Sequence, residues 1–178
     1  KLGKLSTLNE SKATGYPNDY PILSYDFQAA IGEFGLIRGQ YELLKKLHLF
    51  VNDFMEILAP MDAYFMEEAI TDTKDTSSLR YSVRMKDGSG FVFVNNYQRL
   101  EKLAEHRGVK FRINGEIFPQ MGINVSDGDS FILPFNIMLG GVRLKYSTCQ
   151  LICRCGGVYF FEKTGTNPPV FAFDDEVI

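Results

Sequence analysis

The stretch Leu79-Arg80-Tyr81-Ser82-Val83-Arg84-Met85-Lys86-Asp87-Gly88-Ser89-Gly90-Phe91-Val92-Phe93-Val94 decides the fold class. Residues 79–85 alternate apolar and polar, the period of a strand with one buried face. Residues 86–90 carry a turn. Residues 91–94 are apolar at every position, so the returning strand is expected in the middle of a sheet covered on both sides. The same grammar continues towards the C-terminus. Phe111-Arg112-Ile113 and Glu116-Ile117-Phe118 flank Asn114-Gly115, the preferred two-residue hairpin turn because both positions need positive φ. Asp127-Gly128-Asp129 turns into Phe131-Ile132-Leu133, Gly140-Gly141 into residues 142–146, Gly156-Gly157 into 158–162, and Pro168-Pro169 into 170–173. Short strands at this spacing predict a mainly β fold, an antiparallel β-sandwich or barrel-like domain.

Upstream the period changes. Ile37, Tyr41, Leu44, Leu47, His48, Val51, Phe54, Met55 and Leu58 recur at three and four residues. This predicts one long amphipathic α-helix over 38–58, about five turns, stopped by Pro60. Leu43, Leu49 and Phe50 widen the stripe, so more than one side of the helix is expected to be covered. Residues 1–19 are polar and carry few large apolar groups, which reads as a loop or tail. The expected division is therefore 1–59, loop and helix, and 60–178, an all-β domain.

The chain of 178 residues has a formal net charge of −3. Both signs are interspersed, and Lys45-Lys46 is the longest consecutive basic run. Nothing here points to nucleic acid or to an anionic membrane. No apolar run approaches the roughly 20 residues of a membrane span. Lys1-Leu2-Gly3-Lys4 is not followed by an apolar core, so no signal peptide is expected. The compartment stays open.

Candidate chemistry is sparse. Cys149, Cys153 and Cys155 are an odd set without zinc spacing, and read as small buried hydrophobes. Cys153 and Cys155 would share a strand face with Cα atoms roughly 6.6 Å apart, at the limit for a disulfide. His48 is expected to pack on the apolar helix face, and His106 to sit in a polar loop; neither has triad partners in the sequence. Asp72-Thr73-Lys74-Asp75 and Asp127-Gly128-Asp129 lack the closing Glu and ligand spacing of calcium loops, so turn chemistry is the better reading. Asn95-Asn96-Tyr97-Gln98-Arg99 has amide, phenol and guanidinium groups of the kind sugar sites use, or is a turn bonded to backbone. Asp26 and Glu33 are too loosely spaced to be a glycosidase acid/base pair.

One segment carries a family likeness. Ser24-Tyr25-Asp26-Phe27-Gln28-Ala29-Ala30, with Glu33 and Gly35 following, resembles the Ser-Tyr-Asp-Tyr segment after the last barrel strand of family 35 glycoside hydrolases, the β-galactosidases. Gly90-Phe91-Val92-Phe93-Val94-Asn95-Asn96-Tyr97-Gln98-Arg99 is similar to the opening of that family's following all-β domain. Phe131-Ile132-Leu133-Pro134-Phe135-Asn136, Leu139-Gly140-Gly141-Val142 and Leu144-Lys145-Tyr146-Ser147-Thr148 extend the likeness in the same order. It covers nearly all of the chain after about residue 20.

The resemblance implies a C-terminal fragment of a retaining β-galactosidase that hydrolyses terminal β-galactosides. The helix would be the last barrel helix. Tyr25, Asp26 and Phe27 would be the substrate-binding positions, Tyr25 keeping the phenol near galactose and Phe27 offering only packing. Both catalytic glutamates of the family lie upstream of this segment, and Asn9-Glu10, in a polar tail, does not supply one. The chain alone is thus expected to be inactive, with no catalytic residue, metal or cofactor. Its expected partners are a β-galactoside, the barrel of the same polypeptide, and a second copy through the helix face. The rival readings are a free-standing carbohydrate-binding β-sandwich, with Tyr97 and Tyr159 as aromatic platforms, and an inert scaffolding module.

Overall fold

The computed structural model describes residues 29–32, 34–66 and 70–174. The chain falls into two units, Lys1–His48 and Leu49–Ile178, and the boundary lies within the helix.

In the first unit a short loop precedes the helix. Ile31 bridges Ile37, and Gly32 N–H donates to Leu36 C=O at 2.8 Å. Gly35, at φ +79°, closes this loop in a conformation that L residues with side chains seldom adopt. The helix α1 then runs from Gly39 to Leu58. Ala59 N–H still donates to Met55 C=O at 2.8 Å, and Pro60 prevents a further turn.

The second unit is mainly β and antiparallel throughout, as the alternation and turns require. Its strands are β1 (Asp62–Phe65), β2 (Arg80–Lys86), β3 (Ser89–Asn95), β4 (His106–Ile113), β5 (Glu116–Val125), β6 (Ser130–Leu139), β7 (Val142–Ser147), β8 (Cys149–Cys155), β9 (Val158–Lys163) and β10 (Phe171–Phe173). Six of them form one sheet in the order β1-β2-β3-β6-β7-β10. The hairpins β4-β5 and β8-β9 form separate two-stranded sheets. Asp87-Gly88, Asn114-Gly115, Gly140-Gly141 and Gly156-Gly157 each place two positive-φ residues between paired strands. The turn expected over 86–90 is thus confined to Asp87-Gly88, with Ser89 and Gly90 already in the ladder.

The six-stranded sheet is covered on both faces, giving a sandwich-like arrangement. On one face Val83, Val92, Val94, Phe131, Leu133 and Phe135 pack with Phe111, Phe118, Ile123 and Val125 of the β4-β5 hairpin. On the other, Phe91, Ile132 and Ile137 pack with Leu151 of β8 and with Phe50 and Phe54 of α1. The Phe50 and Phe91 rings meet edge-on at 5.1 Å between centroids. Strand β3 therefore feeds alternate residues into both cores, which explains its unbroken apolar run. Gly90 is fixed by space: a Cβ there would lie 2.1 Å from the Arg84 carbonyl oxygen.

Strand β6 departs from simple alternation. Phe135 belongs to the first core and Ile137 to the second, although residues two apart normally share a face. Between them Asn136 takes φ +51°, a left-handed conformation that Asn tolerates better than most residues. Its side-chain amide donates to Gly88 C=O at 3.1 Å.

Three expectations about the helix and the histidines need correction. The buried side of α1 is Phe50 and Phe54, not the broader stripe through Leu44 and Leu47. His48 is exposed rather than packed. His106 opens strand β4, opposite Val125, instead of sitting in a loop. A helix apolar around much of its circumference does not disclose in sequence which side meets the sheet.

Candidate binding site at the sheet edge

The substrate-binding positions expected from the sequence, Tyr25, Asp26 and Phe27, lie outside the described residues. Within the second unit the chemistry-bearing residues converge elsewhere, around a cavity of about 610 Å³ beside the β1-β2 edge of the main sheet. Its walls are Phe65, Met66, Ile70, Asp72, Thr73, Arg80, Tyr81 and Gln98. That volume falls within the range of small-molecule sites.

Each wall has a local cause. Strand β1 pairs with β2 in the register Phe65↔Ser82, which sets the Phe65 ring at the outer edge of the sheet. That ring is 80 % exposed. Tyr81 reaches the cavity from β2 while its ring packs edge-on against Phe111 at 5.3 Å. The loop that follows β1 is built by two aspartates acting mostly on backbone. Asp72 Oδ1 accepts from Lys74 N–H at 2.8 Å. Asp75 Oδ1 accepts from the Ser77 N–H and hydroxyl, both at 2.8 Å, and from Ser78 N–H at 3.0 Å. This is the turn chemistry expected of Asp72-Thr73-Lys74-Asp75. Hydrogen bonds from Ser78 and Ser77 hold the Asp75 carboxyl well below the usual carboxylate range.

Arg80 and Gln98 join the loop to the sheet. Arg80 Nη2 donates to Asp75 C=O at 2.7 Å and to Gln98 Oε1 at 2.9 Å. Gln98 Nε2 donates to Thr73 C=O at 3.0 Å. Each amide atom of Gln98 keeps one further hydrogen-bonding position. Arg80 Nη1 is covered and has no partner among the described residues. The Thr73 and Tyr81 hydroxyls likewise bond to no described protein group.

The run Asn95-Asn96-Tyr97-Gln98-Arg99 therefore divides. Asn96 is buried and serves the backbone, its Nδ2 donating to Ala104 C=O at 2.9 Å and Ser126 C=O at 3.0 Å. Gln98 faces the cavity. Tyr97 is 56 % exposed, whereas Tyr159 stacks on Phe54 at 6.5 Å as part of the second core. Sequence reasoning missed Phe65, Arg80 and Tyr81. The polar run containing Gln98 and the Asp72-Thr73 turn were the signals that reached this place, but their meeting was not legible, because the loop's approach to β2 is a tertiary fact.

Two other features are structural. Asp127-Gly128-Asp129 is again a turn: Asp127 Oδ1 accepts from Leu103 N–H at 3.0 Å and Asp129 Oδ2 from Ser126 N–H at 2.7 Å. The three cysteines are free thiols; Cys149 is buried as expected, and burial pushes its thiol up, but Cys153 is half-buried and Cys155, at the end of β8, is exposed, so the reading as buried hydrophobes holds for Cys149 alone. No family model matches the chain, and no curated protein matches it either. No described helix is long and apolar enough to cross a membrane.

Proposed function

We propose that the chain is the C-terminal part of a retaining β-galactosidase, comprising the end of its catalytic barrel and the β domain that follows. The reading begins from the ordered sequence likenesses that start at Ser24-Tyr25-Asp26-Phe27. The observation that supports it is the surface of α1. Phe50 and Phe54 bury one side of the helix. Leu43, Leu44, Leu47, Val51 and Met55 are nevertheless 70, 39, 43, 39 and 53 % exposed. A helix with apolar residues well beyond its buried side has a second surface to cover. In this reading the barrel of the same polypeptide covers it, as barrel strands cover their surrounding helices. In the isolated chain the same surface is open to a second copy.

The chain's own part in the reaction is positional. Tyr25 supplies a phenol to the sugar site, Phe27 an apolar wall, and Asp26 acceptor oxygens. The two carboxylates needed for proton transfer and for the covalent step come from upstream.

The test is the parent polypeptide extended upstream through two further glutamates. It should hydrolyse an aryl β-galactoside with retention of anomeric configuration, and the isolated 178-residue chain should not. In the parent, Tyr25→Phe should lower kcat/KM about 5- to 150-fold, the loss of one hydrogen bond of roughly 1–3 kcal/mol in a water-poor site. A parent without galactosidase activity, or full activity of Tyr25→Phe beside a crippled Phe27→Leu, overturns the reading or the role given to Tyr25.

A further inference from the structure

The cavity at the β1-β2 edge has no part in the galactosidase reading, which concerns Tyr25 and the barrel. From its walls we infer that it is a non-catalytic binding site for a neutral saccharide. Three features select this ligand. The first is the floor. Phe65 offers an 80 % exposed ring, with Met66 and Ile70 extending the apolar surface. A pyranose has an apolar C–H face that can lie on such a ring.

The second is the polar part of the lining. Gln98 is held at both amide atoms, by Arg80 at 2.9 Å and by Thr73 C=O at 3.0 Å, and each atom retains a free bonding position. The Thr73 and Tyr81 hydroxyls and the second oxygen of Asp72 stand beside it, so donors and acceptors are both present. Sugar hydroxyls also donate and accept. A purely apolar ligand would strip water from these groups and leave them unpaired, at a cost that its burial would have to overcome.

The third is charge. Asp72 places a carboxylate in the wall, and Arg80 Nη1 is covered rather than presented. The Arg80 guanidinium beside that carboxylate balances its charge while Nη2 is already bonded to Asp75 C=O and Gln98, so the wall offers an anion no net attraction and no free guanidinium fork, whereas an uncharged ligand needs neither. The size fits as well: about 610 Å³ accommodates one or two sugar rings.

The experiment is a nuclear magnetic resonance titration of the full chain with lactose, with glucuronate and benzyl alcohol as comparison probes. Lactose should give saturable shifts centred on Thr73, Arg80, Tyr81 and Gln98, and neither comparison probe should match it. Phe65→Ala should weaken binding about tenfold or more while leaving the circular dichroism spectrum unchanged, since that ring is largely exposed. Gln98→Glu, which keeps the shape but replaces the donor nitrogen, should weaken it also. Absence of saturable shifts with lactose overturns the inference. So do tighter binding of benzyl alcohol, which makes the cavity an apolar site, and tighter binding of glucuronate, which makes it an anion site. Binding with no hydrolysis in the parent leaves this inference standing while the galactosidase reading falls; hydrolysis without binding here does the reverse.

Discussion

Gly90 stands where two strands and an aromatic ring meet. Its ladder partners are Met85 and Phe135, and an added Cβ would strike the Arg84 carbonyl oxygen and come within 2.9 Å of Phe135 Cζ. Backbone cannot swing aside as a side chain can. Gly90→Ala should therefore cost about 3 kcal/mol, the upper end of ordinary overpacking, read as a shift in the urea midpoint. An unchanged midpoint would show that β2 and β3 sit further apart than described. Asp75 makes a different kind of prediction. Its folded pKa is depressed by hydrogen bonds from Ser78 and Ser77. The unfolded value is about 3.9. Stability from this carboxylate is complete above that value, declines as pH falls below it and is gone once pH has fallen through the lower folded pKa. The Ser77 and Ser78 amide resonances should hold steady from about pH 5 to about pH 3 and move in stronger acid. A midpoint near the ordinary aspartate value would remove the loop's tie to its acceptors.

Strand β3 shows how an element is read from its composition. An apolar residue at every position from Phe91 to Val94 means two buried faces, and Phe91, Val92 and Val94 are buried, with Phe93 packed against the second core. Phe91→Ala should cost about 3–5 kcal/mol in equilibrium denaturation, because the Phe50 ring would lose its edge-on partner and a cavity would remain. Unfolding at the wild-type midpoint would place the strand wrongly. The hairpin turns were equally legible, since Asn-Gly and Gly-Gly at positive φ are local chemistry. Strand β1 was not. Its four residues are all exposed, so Asp62–Phe65 carries no burial pattern for a sequence to betray. The same holds for the candidate site: Gln98 could be named from its neighbours, but its meeting with Arg80 and Phe65 depends on pairing between segments far apart in the chain. The helix lies between these cases. Its existence and length followed from periodicity and Pro60, while the choice of Phe50 and Phe54 as the buried side was made by the sheet.

At the level of the whole molecule, the main sheet is shared property. Its two faces support two separate apolar clusters, and β3 and β6 contribute to both. In β6 the change of allegiance takes place within three residues, at Asn136. Two cores joined through the same backbone cannot melt in turn, because releasing either one frees strands on which the other depends. The β unit should accordingly behave as one cooperative body in spite of its layered build. Near-ultraviolet and far-ultraviolet transitions should coincide on heating. In hydrogen exchange, the β3 and β6 amides should open only with global unfolding, while those of β1, whose residues are all exposed, exchange through smaller openings. Exchange of Leu133 and Ile137 with distinct free energies would separate the two halves of β6. An insertion or deletion at Asn136 would then act as more than a local lesion: it would put the strand out of phase with one core or the other, and the damage would appear as loss of a single folding transition.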